Sequence, residues 1–377
     1  MLTLLHGIVA WAPLGLPAFA LVFTLVVFFH ELGHFLVARA FGTRIETFSI
    51  GFGKEVFGWT DRKGTRWKIA WLPLGGYVKF LGDEDVTSTT PDMEKINQLG
   101  QDQRAGVLLF KPLYQRALVA FAGPAANFVL AFLLYTLLYG GFGAKEAGTY
   151  IGTVQPNSPA AVAGIRPGDK IVSIDGKSVT MFSELPDVIG HSKSETLSIT
   201  IKRSGRPLTL DVKPRQIDTT DLYGTPLKIT GIGVGRGDES PQNTVDIPVS
   251  LLQAPLYAGL QCVGIVESTF TMLGRIVSRH ADAGQLGGPI GMAQMAQSAA
   301  SHGLYYLISL IAFISVSIGL INLFPIPLLD GGHLLYYGCE AVLGRPLNER
   351  AQDIGFRVGL ALVLGLMIFT TWNDLVR

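Results

Sequence analysis

Long apolar runs separated by polar segments dominate this chain. A membrane-crossing helix takes about 20 mostly apolar residues, and four runs meet that length. They cover roughly 16–38, 115–141, 304–324 and 354–372. The first run does not have the basic leading segment of a signal peptide, because no Lys or Arg precedes Arg39. We therefore expect it to be a retained span.

The segments between these runs have other patterns. In 42–81, aromatic and β-branched residues alternate with glycines, which predicts short strands. This region is apolar for a water-exposed loop, so we expect a small sheet dipping toward the membrane, with a solvated hairpin as the alternative. Residues 148–235 combine strand and turn patterns and predict a soluble domain. Residues 246–280 predict a helix lying on the outer surface, with a fifth span as the alternative.

Composition and charge agree with a membrane protein that also has some soluble mass. Of the 377 residues, 48% are apolar and 16% are charged, and the net charge is +1. This balance gives no indication of a nucleic-acid partner. The two cysteines, Cys262 and Cys339, are far apart, so we expect neither a disulfide nor a cysteine-based metal site.

Basic residues predict the orientation. Eleven Lys and Arg residues lie between the first two runs and a twelfth, Arg116, lies at the start of the second, whereas none precedes the first run. Since cytoplasmic loops are enriched in Lys and Arg, this loop is predicted to be cytoplasmic. Both termini and residues 142–303 then lie outside.

The first run contains ionisable residues near its cytoplasmic end. His30, Glu31 and His34 form the pattern H-E-x-x-H. On a helix the two histidines lie one turn apart on the same face, beside the glutamate. Such groups are costly inside a bilayer unless they find partners, and a metal ion would be a partner for all of them. The pattern predicts a zinc site with Glu31 as the general base.

The third run ends in a break that predicts a further ligand. Pro325 and Pro327 cannot continue a regular helix, and unwound backbone at membrane depth is tolerated where it lines a site. Catalytic zinc takes three protein ligands and keeps one position open. Asp330 lies beyond the break at the same cytoplasmic depth as the histidines, which indicates it as the third ligand. His333, one turn further on, is the competing candidate, and Asn322 flanks the break.

The second run contains Asn127, which should face protein rather than lipid. Two roles remain open for it: an interhelical hydrogen bond, or a role at the active site.

These motifs resemble the site-2 protease family of intramembrane zinc metalloproteases, and within it the regulator-of-sigma-E protease branch. HELGH at 30–34, GPAAN at 123–127 and NLFPIPLLDGGH at 322–333 occur in the family's order, and 148–235 resemble a PDZ domain. The resemblance implies one Zn²⁺ held by His30, His34 and Asp330, with Glu31 as the catalytic base. The best-known members of the branch have two tandem PDZ domains, whereas this chain has room for one.

The implied fold is a multi-pass α-helical membrane protein with about four transmembrane helices, a small cytoplasmic membrane-associated β region and an inserted extracytoplasmic PDZ domain, which is mainly β. The expected divisions are 1–41 (first span with HExxH), 42–111 (cytoplasmic β region and loop), 112–145 (second span), 146–237 (periplasmic PDZ domain), 238–302 (amphipathic helix and linker) and 303–377 (the broken third span and the fourth).

The resemblance also implies binding surfaces. The cytoplasmic β segment would clamp the substrate in extended form. The candidate substrate-binding residues are Asn322, Asn127, Gly51, Phe52, Gly53, Gly75 and Gly76. A PDZ domain binds an extended peptide by strand addition, and Gly231, Ile232 and Gly233 are the candidate peptide loop.

The implied function is hydrolysis of a peptide bond within or near the span of single-pass membrane proteins, such as a pre-cleaved anti-sigma factor or a signal-peptide remnant. The implied location is the bacterial inner membrane. The expected partners are these substrates and membrane lipid, and no nucleic-acid partner is expected. The oligomeric state stays open. One alternative is a membrane-anchored PDZ scaffold with a structural metal, for which His333 would have to be a fourth ligand. Another is a transporter, which would have more intramembrane acids and internal repeats.

Overall fold

The structure, a computed structural model, describes residues 2–83, 93–190, 192, 194–220, 226–237, 243–278 and 287–376. The chain divides into two compact units. One unit comprises the described residues of 1–137, 255–268 and 284–377, and the other comprises those of 138–254 and 269–283.

The secondary structure follows the predicted alternation of apolar and polar segments. The N-terminal part comprises α1 (Leu2–Ala40), β1 (Ile45–Thr60), β2 (Arg66–Phe80), α2 (Met93–Gln98), α3 (Gln101–Arg104), a 3-10 turn at Leu108–Phe110, and α4 (Leu113–Phe142). The middle comprises β3 (Ala144–Ala147), β4 (Ile151–Val154), α5 (Pro159–Val162), β5 (Lys170–Ile174), β6 (Lys177–Ser178), a 3-10 turn at Phe182–Glu184, α6 (Leu185–Gly190), β7 (Leu197–Arg203), β8 (Arg206–Val212), β9 (Arg215–Thr220), β10 (Pro226–Gly231), β11 (Val234–Arg236) and β12 (Thr244–Ile247). The C-terminal part comprises α7 (Ala254–Val277), α8 (Pro289–His302), α9 (Leu304–Asn322), α10 (Asp330–Leu343) and α11 (Glu349–Val376).

Five helices in the described part of the chain are long and apolar enough to cross a membrane. Four of them correspond to the four predicted runs, and α7 is an addition. It is the least apolar of the five, which is why its pattern predicted an outer-surface helix and left a fifth span as the alternative.

Strands β1 and β2 form an antiparallel pair in which both strands bend. Phe48 lies opposite both Val78 and Trp67, so the first half of β1 is flanked by two segments of β2. Gly51 and Gly53 have φ values of 86° and 92°, a left-handed conformation that glycine adopts without strain. The predicted β region is therefore a folded-over sheet rather than a simple hairpin.

The sheet packs on the C-terminal half of α1 through aromatic side chains. The rings of Phe35 and Phe48 meet edge to face with centroids 5.3 Å apart, and Phe28 lies 5.7 Å from Phe48. Nearer the N-terminus of α1, the Thr24 hydroxyl donates to the Pro73 carbonyl oxygen at 2.5 Å. These contacts hold β2 alongside the helix that bears the H-E-x-x-H motif.

Helix α9 runs antiparallel to α4. The Tyr135 hydroxyl donates to the Ser309 carbonyl at 3.4 Å, and the Ser315 hydroxyl donates to the Asn127 carbonyl at 2.9 Å. A methyl group on Gly319 would lie 3.1 Å from the Pro124 carbonyl oxygen, so the two helices approach closely here. Residues later in α9 therefore contact residues earlier in α4.

The break after α9 sets the position of α10. Leu328 has φ 110°, an unusual value for a residue with a side chain. Methyl groups on Gly331 and Gly332 would collide with the main chain of 323–327, so this unwound segment folds back tightly against the start of α10. Asp330 is the first residue of α10 as a result.

The second unit has the strand-rich core expected of 148–235. Sheet β6-β5-β7-β8 supplies isoleucines that are fully buried, among them Ile171, Ile199 and Ile201. Ser158 caps α5 by accepting from the Ala161 amide, as its N-cap pattern indicated. Asp169 is almost fully buried; burial opposes its ionisation, yet hydrogen bonds from Arg203 and the Arg166 amide hold its pKa below the ordinary value.

Candidate metal centre

Helices α1 and α10 bring together three side chains that could bind a metal ion. His30 Nε2 lies 3.1 Å from Asp330 Oδ2, and His34 Nε2 lies 3.4 Å from Asp330 Oδ1. The two Nε2 atoms are 3.2 Å apart. Among the described residues, these three form the one group of His, Cys, Asp or Glu placed to hold a metal ion. His333, the competing ligand, is not part of it.

The spacing of these atoms fits a tetrahedral metal. Ligand atoms about 2.1 Å from a tetrahedral zinc ion lie about 3.4 Å from one another. The two imidazole nitrogens are 3.2 Å apart, and each lies 3.1 or 3.4 Å from one of the two Asp330 oxygens, all close to this value. Asp330 Oδ2 is buried and faces His30 Nε2 without the geometry of a hydrogen bond, as expected of an oxygen directed at a cation. Two imidazoles and one carboxylate also suit zinc chemically.

The cluster is secluded from solvent without being closed. The exposed fractions of the His30, His34 and Asp330 side chains are 9%, 12% and 17%. Charged groups this buried interact strongly because little water screens them.

Glu31 lies between the histidines in sequence and against β2 in space. A methyl group on Gly76 would lie 3.7 Å from Glu31 Cγ and 2.6 Å from the Ser49 carbonyl oxygen. Because Gly76 has no side chain, β2 can lie this close to Glu31 and to β1 at the same time. The predicted substrate-binding residue Gly76 is therefore next to the predicted base.

The other predicted residues take three different positions. Asn127 Nδ2 is 3.2 Å from His30 Nδ1, so Asn127 lies at the cluster. Gly51, Phe52, Gly53 and Gly75 lie at the bends of the β1–β2 sheet, where Phe52 is opposite Leu72 and stacks on Tyr77 with ring centroids 6.0 Å apart. Asn322 is the last residue of α9.

Gly231, Ile232 and Gly233, the predicted peptide loop, belong to the other unit. Gly231 is the last residue of β10, and Ile232 and Gly233 lie between β10 and β11. Ile232 is buried in the core, and Gly233 has φ 78°. Their carbonyls already bond within the unit: that of Gly233 accepts from the Gln155 amide, and that of Ile232 from the Ala160 amide.

The sequence motifs missed one contact at the cluster. His34 Nδ1 lies 2.7 Å from the main-chain carbonyl oxygen of Val119, a residue of α4. A carbonyl is common to every residue type, so no motif reports it. The available signal is the four-residue spacing from Val119 to Gly123 to Asn127, which places all three on one face of α4.

The chain was compared with known protein families, and residues 18–366 match the model of peptidase family M50. The chain belongs to peptidase family M50, the family of the site-2 proteases. As an M50 protein with several apolar helices, it is a membrane protein of a zinc metalloprotease family.

Relatives of this M50 chain share nearly its full length. A protein of Agrobacterium fabrum, provisionally named a zinc metalloprotease, is 43% identical over 357 residues, covering 95% of this chain and 94% of its own. Metalloprotease MmpA of Caulobacter vibrioides is 38% identical over 384 residues, covering 94% of each chain.

A solved structure resembles part of the chain. The PDZ domain of an SdrC-like protein from Listeria monocytogenes is 32% identical over the aligned part, with a TM-score of 0.19. The match covers 24% of this chain and 87% of that one.

Proposed function

We propose that this M50 protein is an intramembrane metalloendopeptidase that binds one zinc ion per chain and cleaves within or near the span of single-pass membrane proteins. The observation that supports this most strongly is the convergence of His30, His34 and Asp330 at the end of an apolar helix. A bound zinc ion supplies Lewis-acid polarisation of the scissile carbonyl and of the attacking water.

The chain's own residues then divide the remaining work. His30, His34 and Asp330 hold the ion and leave one position open. The Glu31 carboxylate accepts a proton from the attacking water and passes it to the amine of the leaving peptide. Asn322, at the end of α9, orients the substrate next to the break.

The β1–β2 sheet presents the substrate. A helical substrate hides its carbonyls in its own hydrogen bonds, so it must be extended before cleavage. Strand addition to β2 would hold it extended beside Glu31. The sheet exposes large apolar side chains, among them Trp71 at 76% and Phe57 at 61%, which suits a sheet that dips into the membrane. Gly51, Phe52, Gly53, Gly75 and Gly76 shape this surface.

Counting crossings supports a topology with both termini outside. His34 meets Val119 and His30 meets Asn127, so α4 runs antiparallel to α1 and away from the metal centre. Helix α9 is antiparallel to α4 and ends near that centre. The end of α4 and the start of α9 therefore lie on the same side, and the chain between them crosses an even number of times.

Helix α7 then remains on the outer side. If it crossed, α8 would have to cross back. Helix α8 has 14 residues, or about 21 Å of helix, against a hydrocarbon core of about 30 Å. We therefore infer four crossings, with α7 an interfacial helix. The Lys and Arg residues between α1 and α4 support an orientation with the metal centre toward the cytoplasm of a bacterial inner membrane.

The PDZ-like unit would then lie in the periplasm. There it would filter substrates by the size of their outer portion, or bind a newly made C-terminus at Gly231, Ile232 and Gly233. Candidate substrates are pre-cleaved anti-sigma factors and signal-peptide remnants. A PDZ scaffold with a structural metal is the rival function, and it needs a closed four-ligand site. Three grouped ligands favour the peptidase.

A cleavage assay tests the proposal. The purified full chain in detergent is mixed with a model membrane-span peptide, with and without a chelator, and Glu31→Gln is assayed beside it. We expect cleavage by the wild type, none with chelator, and a loss of at least about 1,000-fold in Glu31→Gln, which retains its zinc. Cleavage that survives the Glu31 substitution would exclude this mechanism. A fully zinc-loaded wild type that cuts no span peptide would favour the scaffold.

A further inference from the structure

We propose that helix α4 positions both histidine ligands through one stripe of residues, Val119, Gly123 and Asn127. These residues recur every four positions and so lie on one face of α4. None of them is a ligand; each acts on a histidine ring. The inference rests on the proposed zinc site.

Val119 fixes the orientation of the His34 ring. His34 Nδ1 donates to the Val119 carbonyl oxygen at 2.7 Å, and Nε2 lies 3.4 Å from Asp330 Oδ1. In the neutral ring this hydrogen bond leaves Nε2 without a hydrogen and able to bind a cation. Metal-binding histidines generally donate their second nitrogen in this way, because the hydrogen bond selects the tautomer and fixes the ring plane.

Gly123 provides the space in which that ring lies. A methyl group on Gly123 would lie 2.6 Å from His34 Cε1 and 2.8 Å from Cδ2, and nearer still to Nε2. The ring cannot move aside and keep both its bond to Val119 and its approach to Asp330. Any side chain at position 123 therefore displaces the ligating nitrogen itself.

Asn127 fixes the orientation of the His30 ring, as Val119 fixes that of the His34 ring. It is fully buried, its amide lies 3.2 Å from His30 Nδ1, and its Oδ1 has no hydrogen-bond partner. When His30 gives Nε2 to a cation, Nδ1 bears the hydrogen and needs an acceptor. Rotation of the Asn127 amide by 180° brings the unpaired Oδ1 to that hydrogen. An amide can thus pair with His30 in both tautomers.

Helix α9 packs against α4 at Asn127 and supports the stripe. The Ser315 hydroxyl donates to the Asn127 carbonyl at 2.9 Å, and a methyl group on Gly319 would lie 3.2 Å from Asn127 Cβ. Because α4 is supported on this side, its face toward the histidines is a rigid template. The two rings therefore converge before an ion arrives.

The first test measures zinc affinity in detergent by competition with a chromophoric chelator. Gly123→Ala is compared with Gly141→Ala, which is in the same helix and has no atom within 4 Å of an added methyl. We expect Gly123→Ala to lose about 10–100-fold in affinity and Gly141→Ala to match the wild type. Equal affinity in all three proteins would overturn the role of Gly123.

The second test separates positioning from packing at Asn127 and does not depend on Gly123→Ala folding. Asn127→Asp keeps an acceptor for His30, whereas Asn127→Leu has similar volume and none. We expect Asn127→Asp to keep its zinc affinity within about 3-fold and Asn127→Leu to lose about 10–100-fold, with an altered visible spectrum of its Co²⁺ form. Equal losses in both variants, or no loss in either, would overturn the role of Asn127.

The outcome for the zinc site itself is read separately. His30→Ala is titrated in the same assay, and we expect it to abolish tight binding. If wild type and His30→Ala bind zinc equally, the proposed function fails. If His30→Ala loses zinc while the α4 variants do not, only the positioning role fails.

Discussion

At the scale of single residues, the fold brings some metal-binding side chains together and leaves another one nearby outside the group. His333 lies one helical turn beyond Asp330, yet among the described residues the group placed to hold a metal ion consists of His30, His34 and Asp330. Spacing along the chain left both Asp330 and His333 as candidates. Only the fold-back of the unwound segment before α10 selects Asp330, since it directs the start of that helix at α1.

This selection predicts opposite results at the two positions. Asp330→Asn keeps the shape of the side chain but removes the anionic ligand, so we expect zinc content to fall from one ion per chain to below about one tenth. His333→Ala should retain one ion per chain. Metal analysis of the purified proteins checks both, and full zinc in Asp330→Asn would remove that residue from the ligand set.

At the scale of elements, α4 contacts both helices that bear ligands. Its stripe faces the histidines of α1, and its first turn holds α10. Arg116 donates to both carboxylate oxygens of Glu340, at 3.0 and 2.5 Å, and stacks over the Tyr337 ring. The side chains of Arg116 and Glu340 are 12% and 17% exposed. Helix α4 therefore contacts both helices that bear the three candidate ligands and fixes their positions relative to each other.

The buried ion pair predicts a large effect when one partner is removed. Arg116→Gln leaves the Glu340 charge uncompensated, and we expect it to destabilise the protein by about 3 kcal/mol. Arg116→Leu combined with Glu340→Leu should recover part of that loss. Denaturant unfolding in detergent measures both.

The matched control is the pair of Arg66 with Glu55, which has the same chemistry but is solvent-exposed. Water and salt screen such a pair, so Arg66→Gln should have a much smaller effect. Equal destabilisation by Arg116→Gln and Arg66→Gln would contradict the view that burial makes loss of the Arg116–Glu340 pair costly in unfolding free energy.

At the scale of the whole molecule, the crossings are coupled to the metal centre. Asp330 can meet the histidines only if α9 descends toward the end of α1, and this constrains every connection between α4 and α9. Under the proposed topology, α7, which is a candidate span by length and composition, lies at the membrane surface instead. The chemistry of one site thus restricts the topology of the chain.

The topology predicts which positions are accessible from outside the cell. In a Cys262→Ser, Cys339→Ser background, Ser192→Cys in the PDZ-like unit should react with a membrane-impermeant thiol reagent in intact spheroplasts. Lys63→Cys in the β1–β2 turn should react only after permeabilisation. A tag at the C-terminus should be digested by external protease; protection of that tag would favour an odd number of crossings.

Much of this protein could be predicted from sequence because the relevant signals are local. Apolar length marks the four predicted spans, and helix periodicity places His30 and His34 on one face. The strand pattern of 42–81 predicts a sheet, but not the bends at Gly51 and Gly53 that let Phe48 lie between two segments of β2. Such pairing depends on contacts that do not follow from alternation.

Sequence by itself determined the type and order of the main elements and the chemistry available to them, because hydrophobicity, helix period and functional groups belong to the residues. Tertiary structure alone decided which atoms meet. The Val119 carbonyl, the space at Gly123 and the unpaired oxygen of Asn127 act on the histidines only because α1, α4 and α9 cross closely with particular rotations about their axes. Those rotations result from packing between helices far apart in the chain, which no local pattern encodes.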